Sequence, residues 1–230
     1  MERLEYSDFG GHINLVSLEF PNTTSISGYV FSGCTNLKSV SFPLAETTGP
    51  AAFYYCLSLT DLYFPVATSV RYSSFTNCTS LETANFPEVT GIGFQAFMGC
   101  TNLENANFPI VENIGHQAFC GCINLDNLNT PELLAFYDNV FQNTGGKTLT
   151  ITLNNEAPEA WYESFNDVNV TKNVIIRIPF GSTSYGTLPF VNNDTSTENW
   201  GNVFRGMGWN GSFMDGDVNP NINLTFVEYP

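Results

Sequence analysis

The stretch Phe86–Asn107, F-P-E-V-T-G-I-G-F-Q-A-F-M-G-C-T-N-L-E-N-A-N, decides the fold, because the chain repeats it. Phe recurs at 9, 31, 53, 75, 97, 119 and 141, and Cys at 34, 56, 78, 100 and 122. Pro recurs at 21, 43, 65, 87, 109 and 131, and Leu at 15, 37, 59, 81, 103 and 125. Every interval is 22 residues, without insertion or deletion. Four columns in one register define a repeat architecture over residues 9–144. A single copy is too small to bury its apolar positions (Val89, Ile92, Ala96, Phe97, Cys100, Leu103, Ala106 and Phe108 in the quoted unit). Stacked copies bury them as continuous ladders.

The local pattern is legible within the unit. Leu37-x-x-Val40-x-Phe42 ends with period-2 spacing and is closed by Pro43, which predicts a short strand. Val89-x-x-Ile92 followed by Gly93 predicts a second short extended piece. Ala96–Cys100 predicts a tight turn or a 3₁₀ segment, too short for a stable helix. Parallel strands stacked about 4.8 Å apart would give a rod roughly 30 Å long.

The runs A-F-x-x-C-T-N-L-x-x-L/V/A-x-F-P at 30–43, 52–65, 74–87, 96–109 and 118–131 resemble the BspA-like (Treponema-type) leucine-rich repeats of bacterial surface proteins. The resemblance implies a mainly β, right-handed leucine-rich-repeat solenoid of about six to seven repeats, whose convex side uses short turns or strands in place of helices. It also implies a secreted or surface-anchored protein that contacts an unidentified protein or glycan on a host or microbial surface. Ile178-Pro179, Gly181-Ser182, Tyr185 and Asn199-Trp200 followed by Phe204 match tails found in the same family.

The ends depart from the repeat. Leu4 aligns with Ile26, and His12 stands where the Cys column would begin, so the chain starts within a unit. Solenoids need polar caps, and an upstream segment with a signal peptide is therefore expected. At the other end Thr130 takes a Phe position and Thr144 a Cys position. Past Gly145-Gly146 the composition changes, and Thr148–Leu153, Val174–Pro179 and Ile222–Glu228 read as strands. These divide the chain into a solenoid, 1–145, and a β-rich C-terminal cap, 146–230, that pairs with the last coil and hides its edge.

Composition narrows the function. Charged residues make up 13% of the chain, about half the usual share. The net charge of −15 opposes binding to nucleic acid and to anionic membranes. No apolar run is long enough for a transmembrane helix.

The candidate chemistry is sparse. Five of the six Cys share one inward column, which reads as buried thiols; parallel side chains make poor disulfides, and metal binding is the weaker third reading. Cys120 lies outside the column, exposed or locally paired. His12 and His116 sit in different repeats and make no catalytic set. Asp215-Gly-Asp217-Val-Asn219-Pro-Asn221 has calcium-loop spacing at its start but Phe226 at the twelfth position, and reads as a turn-rich loop. Trp161, Trp200 and Trp209 read as cap core before sugar platform. No paired carboxylates recur, so an enzyme is not expected, and neither is a cofactor.

The partner-binding candidates are the outward positions of the predicted strands. Ser17, Ser39, Asp61, Thr83, Asn105 and Asn127 form one column; Glu19, Ser41, Tyr63, Asn85, Asn107 and Asn129 form the other. Glu19, Asp61 and Tyr63 break the Ser/Thr/Asn pattern and are the sharper candidates, since aromatic and charged residues carry more interface energy. The Asn run reads equally as a ladder of hydrogen bonds along stacked strands. A structural spacer and a polysaccharide-cleaving solenoid are the alternative readings.

Overall fold

The computed structural model describes residues 3–137, 139–144, 148–152, 172–179 and 222–229. The chain winds into about seven stacked coils, one per 22-residue unit, and no described residue is helical. Each complete coil has a three-residue strand, a two-residue strand or bridge, and an arc of turns.

The three-residue strands are β2 (Ser17–Glu19), β4 (Ser39–Ser41), β5 (Asp61–Tyr63), β7 (Thr83–Asn85), β9 (Asn105–Asn107) and β11 (Asn127–Asn129). The two-residue strands are β1 (Arg3–Leu4), β3 (Ser25–Ile26), β6 (Ser69–Val70), β8 (Gly91–Ile92), β10 (Asn113–Ile114) and β12 (Ala135–Phe136). The pairings among these twelve strands are parallel and in 22-residue register, as in Asn105↔Asn127 and Gly91↔Asn113. The Leu4↔Ile26 pairing keeps the same register in the first described coil.

The arc is a run of turns. Cys100 N–H donates to Phe97 C=O (3.1 Å) and Met98 N–H to Gln95 C=O (3.2 Å), three residues back. Helix does not propagate because each arc holds two left-handed residues. One column is Ser7, Tyr29, Ala51, Ser73, Gln95, Gln117 and Asn139, with φ between 49° and 60°. The other is Gly11, Gly33, Tyr55, Asn77, Gly99, Gly121 and Asn143, where glycine avoids the Cβ clash of positive φ. The arc is also a third ladder: Phe31, Phe53, Phe75 and Phe97 N–H each donate to the next coil at 2.8–2.9 Å.

The core is a double file of Phe rings. Phe9, Phe31, Phe53, Phe75, Phe97 and Phe119 stack at 5.2–5.4 Å, and Phe141 extends the file at 6.2 Å. Phe20, Phe42, Phe64, Phe86 and Phe108 form the second file, tilted or edge-on against the first. Edge contacts of this kind suit the ring quadrupole. Thr130 ends the second file; it is fully buried and its Oγ1 has no hydrogen-bond partner.

The five column cysteines are buried free thiols, as their spacing predicts. Each Sγ–H donates to a Phe carbonyl of the preceding coil: Cys34 to Phe9, Cys56 to Phe31, Cys78 to Phe53, Cys100 to Phe75 and Cys122 to Phe97, at 3.0–3.2 Å. Burial pushes the Cys56 and Cys78 thiols far up and that of Cys100 to about 12. Cys120 is half-buried, with Sγ 3.8 Å from Gln142 Oε1.

Past the seventh coil, β13 (Thr148–Thr152), β14 (Lys172–Pro179) and β15 (Ile222–Tyr229) occupy the three segments read as strands. They continue the long sheet in parallel, in the order β11-β13-β14-β15.

Candidate partner-binding face

The outward columns lie as the sequence places them. Ser17, Ser39 and Asp61 share a register, as do Thr83, Asn105 and Asn127; Glu19, Ser41 and Tyr63 align beside them, followed by Asn85, Asn107 and Asn129. Much of this face is bonded to itself. Asn107 Nδ2 donates to Asn85 Oδ1 (2.7 Å), Asn129 Nδ2 to Asn107 Oδ1 (2.6 Å) and Asn127 Nδ2 to Asn105 Oδ1 (2.9 Å). Ser17 and Ser39 hydroxyls bond at 2.7 Å. Each of these amides spends an N–H or an oxygen lone pair on its neighbour, which ties the side chains into rows along the face.

Asp61 and Tyr63 differ. Asp61 accepts only a local bond, from Thr60 Oγ1 (2.8 Å), and Tyr63 is 55% exposed. Both sit at a break in the sheet: β2, β4 and β5 form one sheet, and β7 begins another. Elsewhere Phe42 N–H donates to Tyr63 C=O (2.9 Å) and Phe86 N–H to Asn107 C=O (3.0 Å). Among the described residues no such bond joins Phe64 N–H to Asn85 C=O, or Glu82 N–H to Thr60 C=O. The Phe file widens at the same level, to 6.0 Å between Phe64 and Phe86 against 5.2 Å between Phe42 and Phe64. Leu62 is only half-buried, whereas Val40 and Ala84 are buried. The inward column changes here from Val40 and Leu62 to Ala84 and Ala106, a large-to-small step that interrupts close packing.

The neighbouring face is irregular one coil earlier. Thr48 stands in a column of Ile26, Val70, Ile92 and Ile114, and Ser74 in one of Val30, Ala52, Ala96 and Ala118. Their buried hydroxyls bond at 2.7 Å. Arg71 N–H donates to Thr48 Oγ1 (3.1 Å), whereas Gly93 and Gly115 N–H donate to the backbone carbonyls of Val70 and Ile92 (2.8 Å). A hydroxyl has displaced a ladder bond, and Thr47↔Ser69 remains an isolated bridge.

An acidic column borders the candidate face, at the positions just before its strands: Glu82, Glu104 and Asp126 on successive coils. It is periodic in the sequence and was reachable there; attention to strand positions alone passes over it. Asp126 Oδ1 is buried without a partner. Among the described residues no three metal-ligating side chains converge. The histidines are apart: His12 lies edge-on to Phe9, and His116 lies 5.0 Å from Tyr137. Asp215–Asn221 and the three Trp lie outside the described residues. No helix of the described residues is long and apolar enough to cross a membrane.

A solenoid of parallel strands and turn arcs, stapled by Phe and Cys files, defines the chain as a leucine-rich-repeat protein. Residues 2–110 and 90–199 match the BspA type leucine rich repeat region, in six copies, and the chain belongs to that family. Three bacterial structures share its fold. The leucine-rich-repeat protein of T. pallidum is 22% identical, with 86% of each chain covered and a TM-score of 0.59. A leucine-rich-repeat protein of Bacteroides ovatus is 19% identical over 76% of this chain and 58% of its own, with a TM-score of 0.51. A leucine-rich cell surface protein of Faecalibacterium prausnitzii is 20% identical over 71% of this chain and 55% of its own, with a TM-score of 0.54. The chain thus spans little more than half of the latter two. No curated protein matches it in sequence.

Proposed function

We propose that the chain is a non-enzymatic binding module, secreted or held at a cell surface, that engages a host or microbial macromolecule through its strand face. The solenoid of residues 1–145 supplies the face, and residues 146–230 act as its cap. The observation that carries this reading is the contrast within the face. Its Asn columns are tied into hydrogen-bonded rows, while Asp61 and Tyr63 stand outside any such row, at the sheet break. An exposed Tyr beside a carboxylate is the composition of an interface anchor. The flanking Glu82, Glu104 and Asp126 favour a partner with a basic patch. The surface assignment draws on the family and on the cell surface protein of Faecalibacterium prausnitzii.

Immobilised host matrix proteins and glycans test this. One of them should bind the wild type and lose about tenfold or more in affinity on Asp61→Ala/Tyr63→Ala. A bound partner indifferent to that double variant would place the contact on another surface. The self-paired Asn columns favour the spacer as the second reading, which predicts no ligand for this face at all.

A further inference from the structure

The arc-side corner after the second strands carries a feature that the strand-face reading does not use. The ninth position of the unit presents an aromatic ring in four of six described coils, Tyr6, Tyr72, Phe94 and His116, with Gly28 and Pro50 in the other two. Tyr72 is 46% exposed and Phe94 47% exposed, and His116 is exposed beside Tyr137. The core rings, on the same coil step, stack face to face at 5.3 Å between Phe75 and Phe97. Tyr72 and Phe94 make no ring contact with each other or with any other described ring.

Beside the rings runs a shallow trough. Its floor is Gly91, between Ser69 and Asn113 on the paired strands β6, β8 and β10, and a Cβ built there would meet nothing within 4 Å. On the other side runs an amide row, with Gln95 Nε2 donating to Gln117 Oε1 (2.8 Å) and Gln117 Nε2 to Gln142 Oε1 (3.1 Å). Gln95 and Gln117 have more donors and acceptors than that row consumes. The flanking charges, Arg71 and Glu112, are of opposite sign, in a chain whose net charge is −15.

We propose that this corner binds a neutral, unbranched glycan laid along the solenoid axis. Exposed ring faces accept the apolar faces of pyranose rings, and the amides and the Ser69 and Asn113 side chains serve hydroxyl groups. A corner whose two flanking charges offset each other, on a strongly acidic protein, selects a ligand without carboxylates or sulfates, since an anionic chain would be repelled. The ring positions advance by one coil step, and an extended glycan repeats its sugar ring on a similar step. This site is independent of Asp61 and Tyr63, which lie on the other sheet.

The test is native electrophoresis of the full chain in gels containing hydroxyethylcellulose, barley β-glucan, mannan or, as the anionic comparison, alginate. Retardation by at least one neutral polymer is expected, with affinity falling about tenfold or more in Tyr72→Ala/Phe94→Ala. Gly91→Leu puts a side chain into the trough from a Cβ that has open space around it, so it should abolish retardation at nearly unchanged Tm. Asp61→Ala/Tyr63→Ala should leave retardation intact even if the strand face proves to bind nothing. No retardation by any neutral polymer, retardation by alginate alone, or equal retardation of wild type and the ring variants would overturn the proposal.

Discussion

Alkali should unfold this protein through its cysteine column. Cys56, Cys78 and Cys100 are buried, and each thiol donates to a carbonyl one coil back (3.1, 3.2 and 3.1 Å). Desolvation first, and for Cys56 and Cys78 the neighbouring column thiols as well, raise their pKa values, that of Cys100 to about 12. In the unfolded chain each thiol titrates near its ordinary value of about 8.5. A folded-state pKa above the unfolded one gives stability that is complete below the unfolded value and lost as pH rises toward the folded value. At about pH 9.5 each thiol therefore costs about 1.4 kcal/mol, and three cost about 4 kcal/mol, against a total stability of about 5–15 kcal/mol. Stopping there keeps most Tyr and Lys out of the titration. Urea unfolding followed by far-UV circular dichroism, from about pH 7.5 to about pH 9.5, reads the loss directly. Cys78→Ser keeps a donor for Phe53 C=O but removes one titrating group, so its stability should fall less steeply by about 1.4 kcal/mol at the upper end. Stability flat across that range, or an unchanged slope in Cys78→Ser, would refute the buried protonated column.

Thr130→Val keeps the volume of a buried side chain whose hydroxyl is unpartnered, and should raise stability by about 1 kcal/mol in urea titration. Gly115→Ala would place a Cβ 2.8 Å from Gly93 backbone carbon and should cost about 1–3 kcal/mol, while Gly91→Ala, facing open space, should leave stability within about 0.5 kcal/mol by the same measurement. Amide hydrogen exchange should divide the strand face at the sheet break: Phe64 and Glu82 amides exchange faster than those of Phe42, Phe86 and Glu104, which have ladder partners. Uniform protection across β5 and β7 would mean that the two sheets are one.

What the sequence discloses about this fold follows from what repeats. A column that must point inward on every coil, such as Phe97 or Cys100, is visible because every copy solves the same packing problem. The glycine members of the second left-handed column are visible for the same reason, but the first, from Ser7 to Asn139, is not. Its residue types vary because coil-to-coil bonding overrides the local preference against positive φ. The break between β5 and β7 leaves a faint trace, the change of the inward column from Val40 and Leu62 to Ala84 and Ala106, because each of these is an ordinary strand residue. A second irregularity is the pair of hydroxyls at Thr48 and Ser74 in otherwise aliphatic columns. The outward positions of the candidate face were legible from strand alternation, and their register confirms it. Which of them stay open was not legible, because amide pairing between Asn85, Asn107 and Asn129 depends on coil spacing and rotamer.

The most direct measurement of the binding claim is site-specific photo-crosslinking. A benzoylphenylalanine replaces Tyr63 on the strand face in one protein, and Tyr55, an exposed ring on the turn arc, in another. Each is irradiated with the partner identified by the immobilised panel. Crosslinking from position 63 and not from position 55 is the predicted result. Crosslinking from position 55 alone, or from neither position with the partner bound, would contradict the account.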